Sequence, residues 1–203
     1  MSEPLTRRAL LGRAGATAGL FAAGGVRRLW AAPAAGAVAP NLPVAIQGCD
    51  SYEPRKLAGA LAQALGLIGG IERLVQGKTV TIKLNLTGGP RLKLGGLPAR
   101  RTYHVHPQFV AAACAAIRGA GARRIVLVES GYDRRPLEEV MAGAGWNIDR
   151  IAAAGDGKVS WEDTRNEGRW RGYSRLQVPW GGYVYPAFDL NRRYEKTDVF
   201  VSL

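Results

Sequence analysis

Apolar and polar positions in this chain follow two rhythms, the 3.6-residue period of a helix and the two-residue alternation of a strand. After Pro43 a short apolar run, Val44-Ala45-Ile46-Gln47, stops at Gly48 and reads as an opening strand. Pro54 then starts a helix, because its fixed φ and missing N–H suit a first turn. Leu57, Leu61, Ala64, Leu65 and Ile68 recur along one side of that helix, and Gly69-Gly70 closes it. Residues 71–75 lead through Gly77 to Lys78-Thr79-Val80-Thr81-Ile82-Lys83-Leu84-Asn85-Leu86, rich in β-branched residues and therefore a strand. Strand, helix, strand is the unit that builds a parallel sheet.

The pattern repeats. Pro107 begins a second helix whose Val110, Ala113, Cys114 and Ile117 form one stripe, ended by Gly119 and Gly121. Arg124-Ile125-Val126-Leu127-Val128 follows as a strand with four successive apolar positions, as expected of one covered on both faces. A third helix runs from about Pro136 to Gly143. From Gly155 the texture changes to short polar segments with Trp161, Trp170 and Trp180, read as hairpins or a lid rather than another repeat. Residues 198–203 read as a further strand, whose sequence stops before any turn, so the chain is expected to be incomplete at that end. The fold class is α/β, an open and mainly parallel sheet of βαβ units with an irregular Trp-rich segment in the C-terminal third.

The N-terminus changes where this domain is expected to work. Thr6-Arg7-Arg8-Ala9-Leu10-Leu11 precedes an uncharged stretch from Ala14 to Val26 and resembles a twin-arginine export signal. Those 13 residues, four of them glycine, fall below the ~20 apolar residues that a transmembrane helix needs. Cleavage fits near Ala32-Pro33-Ala34 or Ala35-Gly36-Ala37, giving a signal over residues 1–37, a linker over 38–43 and an α/β domain over 44–203. The expected localisation is periplasmic or extracellular, with the export machinery as a partner and no transmembrane segment after cleavage. Removing residues 1–37 takes away five arginines and Glu3, and the formal charge falls from +12 to +8. An exported protein meets little nucleic acid, so this basic balance points to small anions or acidic envelope surfaces.

Cys49 and Cys114 lack the spacing of a zinc or iron-sulfur motif, so no cluster is expected from this chain alone; Cys114 reads as a small buried hydrophobe and no metal ligands are assigned. Candidate chemistry gathers where strands end, since ligands of open parallel sheets bind outside their carboxyl ends. Lys83 is the odd residue of its strand. Its ammonium needs water, a carboxylate or a bound anion, unless the strand is an edge with one wet face. Asn85 and Thr87 follow it, and Glu129-Ser130 end the next strand, Glu129 being either a proton-transfer group or a surface residue or cap. The loop from Thr87 to Arg101 carries four cations, Arg91 and Lys93 among them, and no carboxylate; this suits an anion or a solvated loop. It has no Walker or dinucleotide glycine spacing. His104 and His106 flank Val105 and point to opposite sides if extended, so they are weak as a metal pair; His106, beside Pro107, is the favoured proton-transfer residue.

The segments Val80 to Asn85, Val105-His106-Pro107 and Gly119 to Glu129, in this order, resemble the domain of unknown function 362 family over roughly residues 44–203. The resemblance implies an α/β domain with Lys83 and Asn85 in the family pattern at the strand end. It also implies a helix start matched by His106-Pro107 and an acidic residue matched by Glu129. The family usually has Thr where this chain has Val105, and commonly continues into a Pro-x-Leu-Lys-Thr-His stretch that this chain lacks. Several exported members start with a twin-arginine signal, and some carry ferredoxin-like iron-sulfur segments, whose cysteines this chain does not have. Two functions follow as expectations. One is an exported protein, enzymatic or not, holding a small anionic ligand through Lys83, Asn85, Thr87, Arg91, Lys93 and Ser130, with His106 or Glu129 moving protons. The alternative is a non-catalytic accessory protein of an envelope redox or metabolic complex, docking through Trp161 to Trp180.

Changing Arg7 and Arg8 together to Lys is expected to leave precursor in the cytoplasm, because the export receptor reads a guanidinium pair. Cell fractionation checks this, and undiminished export of the double variant would remove the case for a signal in residues 1–37.

Overall fold

The computed structural model describes residues 42–89, 92–131 and 133–203. The expected signal, most of the expected linker and Arg91 lie outside the described residues. Helix α1 (Pro54–Leu67) has Pro54 in its first turn, and its open N–H groups at Arg55 and Lys56 are met by the Glu53 carboxylate at 3.1 and 3.0 Å. It stops at Gly69 and Gly70, both at positive φ, where the Gly70 N–H donates back to Leu65 O. A short α2 (Glu72–Val75) leads to β1 (Thr79–Lys83). A small hairpin of β2 (Lys93–Leu94) and β3 (Leu97–Pro98) follows, then α3 (Pro107–Gly119) and β4 (Arg124–Glu129). Next come α4 (Leu137–Gly143), α5 (Ile148–Ala154) and β5 (Val159–Asp163). The chain continues through β6 (Tyr173–Gln177), β7 (Ala187–Asn191), α6 (Arg192–Glu195) and β8 (Val199–Ser202).

Four of these strands form one sheet in the order β5-β4-β1-β8, and every pair is parallel. Register places Thr79 to Lys83 beside Arg124 to Val128, and Val80 to Lys83 beside Val199 to Ser202. Strand β1 is therefore central, so Lys83 does not lie on an edge strand with one wet face. Alternation sends Val80, Ile82, Ile125 and Leu127 to a common core with Val110, Cys114 and Ile117 of α3 and Ile151 of α5. The opposite positions Thr81, Val126 and Val128 are also buried, as a parallel sheet requires. Successive strands run outward from β1 through β4 to β5, and β8 then returns to the other side of β1. The order reverses there, which makes the carboxyl end of β1 a topological switch point.

Two expectations from the sequence need correction. Val44 to Gln47 form no strand: Val44 and Ile46 are 86% and 91% exposed, and among the described residues no strand pairs with them. A four-residue apolar run with no neighbouring strand has no ladder to pair with, and its exposed peptide groups bond to water instead. The βα repeat also does not end at Gly155. Helix α5, capped by Asn147 Oδ1 on Arg150 N at 2.8 Å, leads into β5, which pairs parallel with β4 and carries Trp161. Its sequence, Val-Ser-Trp-Glu-Asp, is that of a half-buried edge strand and lacks a continuous apolar run.

The structure divides into two units. The larger comprises residues 42–174 and 189–203; the other, among the described residues, is Arg175–Phe188. Strands β6 and β7 form their own two-stranded sheet, of which Arg175–Phe188 comprises residues 175–177 of β6, the turn, and Ala187 and Phe188 of β7. Among the described residues no helix is long and apolar enough to cross a membrane.

Packing predicts thiol reactivity. Cys114 is fully buried and its thiol is pushed up to about 12 by burial, whereas Cys49 is exposed. A chromogenic disulfide reagent at neutral pH is expected to titrate Cys49 in the native chain and to reach Cys114 only on unfolding. Equal labelling rates for both thiols in the native protein would contradict this core.

Candidate functional site

The carboxyl ends of β1 and β4 are joined by charge. Lys83 Nζ lies 2.6 Å from Glu129 Oε1 and donates also to Leu84 O at 2.6 Å. The same Glu129 oxygen accepts the Ser130 N–H at 2.8 Å, while its second oxygen accepts the Leu86 N–H at 3.1 Å. Glu129 thus holds three donors on a side chain only 11% exposed, while Lys83 is 31% exposed. A carboxylate with three charge-assisted bonds is tied in place. Asn85 and Thr87 serve the turn that follows: Asn85 Oδ1 accepts the Thr87 hydroxyl at 2.8 Å and faces the Thr87 N–H at 3.4 Å.

The two histidines have separate roles. His106 is the N-cap of α3, its Nδ1 accepting the Gln108 N–H at 3.2 Å, and its ring stacks on Tyr52 with centroids 3.7 Å apart. Burial first, then the charges of Arg100 and Arg101, push it toward the neutral form. His104 is buried, bridges Leu86 through the backbone, and has Nε2 3.4 Å from Gly88 O. That carbonyl accepts only from a protonated Nε2, so Nδ1 is the bare nitrogen of the neutral ring. Nδ1 is buried and, among the described residues, meets no hydrogen-bond partner. Burial pushes His104 toward the neutral form, against the opposing pull of Gly88 O and the Glu129 charge.

Beside this rim lies a cleft of about 470 Å³. Leu86, Gly88 and Gly89 line it after β1, Gly131 and Asp133 to Arg135 after β4, and Asp163 at the end of β5, with Leu137, Val140 and Met141 of α4 as its apolar wall. Glycine matters at Gly131, where a Cβ would come within 3.4 Å of Asp163 Oδ2, and at Gly88, which sits at φ +80°. Charges in the lining are mostly paired. Arg135 wraps Asp133, with Nε 3.1 and 3.2 Å from its two oxygens and an NH2 contact of 2.6 Å, and holds its carboxyl well below the usual range. Arg165 lies 3.0 Å from Asp163 Oδ2, an ion pair without hydrogen-bond alignment at that oxygen, and also donates to Asp133 O. Arg134 is exposed and, among the described residues, has no carboxylate partner.

The structure brings Lys83, Asn85, Thr87, Glu129 and Ser130 to one rim and puts Lys93 on the exposed β2 hairpin; none of these six, nor His106, is in the lining of the cleft. Arg91 lies outside the described residues. The residues that sequence reasoning missed are Asp133, Arg134, Arg135 and Asp163; His104 was named there but set aside in favour of His106. A signal for the first three was present, since Asp133-Arg134-Arg135-Pro136 occupies the loop between a strand end and a helix start, where ligands of parallel sheets bind. Among the described residues no three His, Cys, Asp or Glu side chains converge as a metal site would need. Comparison with known proteins finds no matching family model, no similar curated protein and no similar solved structure.

Lys83→Met is expected to lower stability by about 1–3 kcal/mol, less than for a wholly buried pair, because Glu129 keeps two backbone donors and the site reaches water. Adding Glu129→Gln, which retains an acceptor for Leu86, should recover part of the loss. Denaturant melts of the two single variants and the double variant check this; additive effects would show that the pair does not clamp the strand ends.

Proposed function

We propose that this chain is an exported α/β protein that binds a small anionic ligand in the cleft at the carboxyl ends of β1, β4 and β5. The observation that carries the reading is Arg134. Asp133 is paired with Arg135 and Asp163 with Arg165, which reaches it from outside the lining, so Arg134 is the lining guanidinium whose charge, among the described residues, is not spent on a carboxylate. The volume is that of a small-molecule site, and glycines at 88, 89 and 131 let backbone approach a bound group. The position outside the carboxyl ends of adjacent parallel strands supports the same reading. Lys83 and Glu129 spend their charges on each other, which favours a positioning role for both over anion capture or proton transfer. His106 is similarly occupied as a cap. Export by the twin-arginine route and membership of the domain of unknown function 362 family belong to this proposal, supported by Arg7-Arg8 and by the motifs that carry the resemblance.

Calorimetric titration with inorganic phosphate and with succinate tests the reading. Arg134→Ala is expected to weaken binding of the preferred anion by roughly 10-fold or more, since a charge-assisted bond is lost, with an unchanged far-UV spectrum. Equal affinities for wild type and Arg134→Ala, or no binding of either anion, would overturn it.

A further inference from the structure

The turn between β6 and β7 has a composition unlike the rest of the chain. Residues 178–186 read Val-Pro-Trp-Gly-Gly-Tyr-Val-Tyr-Pro, without a charged, amide or aliphatic hydroxyl side chain. Its large side chains face solvent: Trp180 is 64% exposed, Tyr183 69%, Val184 73% and Tyr185 62%. The turn is nonetheless ordered by its own bonds, with Val178 N–H donating to Pro186 O at 2.8 Å and Gly181 N–H to Val178 O at 2.9 Å. Gly181 and Gly182 both take positive φ, and a Cβ at Gly182 would run into the Tyr185 carbonyl. Trp180 packs edge-on against Tyr183, and Tyr185 against Phe188, at 64° and 76°.

Chemistry narrows the partner. Addition of a strand needs free backbone donors, and Pro179 and Pro186 supply none. Single-stranded nucleic acid needs cations beside the rings, and residues 176–188 contain no charged residue. A sugar surface would want a flat ring platform with polar side chains around it, whereas these ring pairs are crossed and the loop has no amide or carboxylate. Trp and Tyr, apolar bodies with one polar tip, are the residues that settle at the boundary between lipid and water. The formal charge, +12 for the whole chain and +8 without residues 1–37, is complementary to an anionic bilayer, and shallow apolar insertion together with charge attraction is the combination that gives stable peripheral binding. We propose that the 178–186 loop inserts into the headgroup layer of an anionic membrane, with Trp180, Tyr183 and Tyr185 as its anchors.

The test uses the full chain with vesicles of phosphatidylcholine alone and of phosphatidylcholine with phosphatidylglycerol. Sedimentation is expected to show binding to the anionic vesicles, weakened roughly 10-fold or more in Trp180→Ser/Tyr183→Ser/Tyr185→Ser. The N-terminal segment is common to both chains, so it cannot produce that difference. Far-UV dichroism and protection of Cys114 from thiol reagents verify that the triple variant folds. Independently of that variant, brominated lipid should quench wild-type tryptophan fluorescence, and Trp180→Phe should remove most of that quenching while vesicle binding persists. Vesicle binding equal in wild type and triple variant would reduce the interaction to charge alone and overturn the proposal. Absence of binding to either vesicle would also overturn it, leaving the exposed rings to a protein partner.

Discussion

The parallel ladder between β1 and β4 is the constraint on which the larger unit depends. It places Val80 and Ile82 beside Ile125 and Leu127 in one layer under α3, and it brings Lys83 level with Val128 so that the next residue, Glu129, comes within reach of the ammonium. A slip of one residue would turn Ile82 and Leu127 to the opposite face, since side chains alternate with period two. It would also carry Glu129 away from Lys83 and Leu86. The apolar core and the polar clamp therefore specify the same register, and this agreement between levels selects one arrangement.

Electrostatics at the rim follow from burial. Glu129 is almost wholly covered, so its charge is tolerable only with close donors, and the chain supplies one ammonium and two backbone N–H groups. Asp163, also largely covered, lies beside the guanidinium of Arg165, and the more exposed Asp133 is paired in the same local way by Arg135, each partner two positions further along. Such local pairing costs little chain entropy because the partners are already near in sequence. Arg134, between two residues that pair with each other, lines the cleft and, among the described residues, has no carboxylate partner.

Helices α1, α3 and α4, strands β1, β4 and β8, and the α/β class were legible because each carries a local signature: Pro in a first turn, Gly after a last turn, or a run of β-branched residues. Strand β5 was not, because its residues are half-buried and its Glu162 and Asp163 face charged partners, Arg193 at 2.7 Å and Arg165 at 3.0 Å. Val44 to Gln47 misled in the opposite direction, since an apolar run shows preference for burial and says nothing of whether a neighbour is there to provide it.

What the sequence by itself determined is the set of elements with local signatures and the helix start at His106-Pro107; the Glu53 cap on α1, the Asn85 turn and the Arg135 fork on Asp133, seen in the structure, also join residues within three positions and so rest on local sequence. What only the tertiary structure decided is the neighbour of each strand and, through it, which charges cancel. Lys83 and Glu129 stand 46 positions apart, and their pairing depends on the order of strands in the sheet, which no local pattern encodes. His104 against His106 was settled the same way. Alternation put the two rings on opposite sides, but burial at one and a cap at the other came from the elements packed around them, because the desolvation that separates a buried imidazole from a capping one exists only once the chain has closed over it.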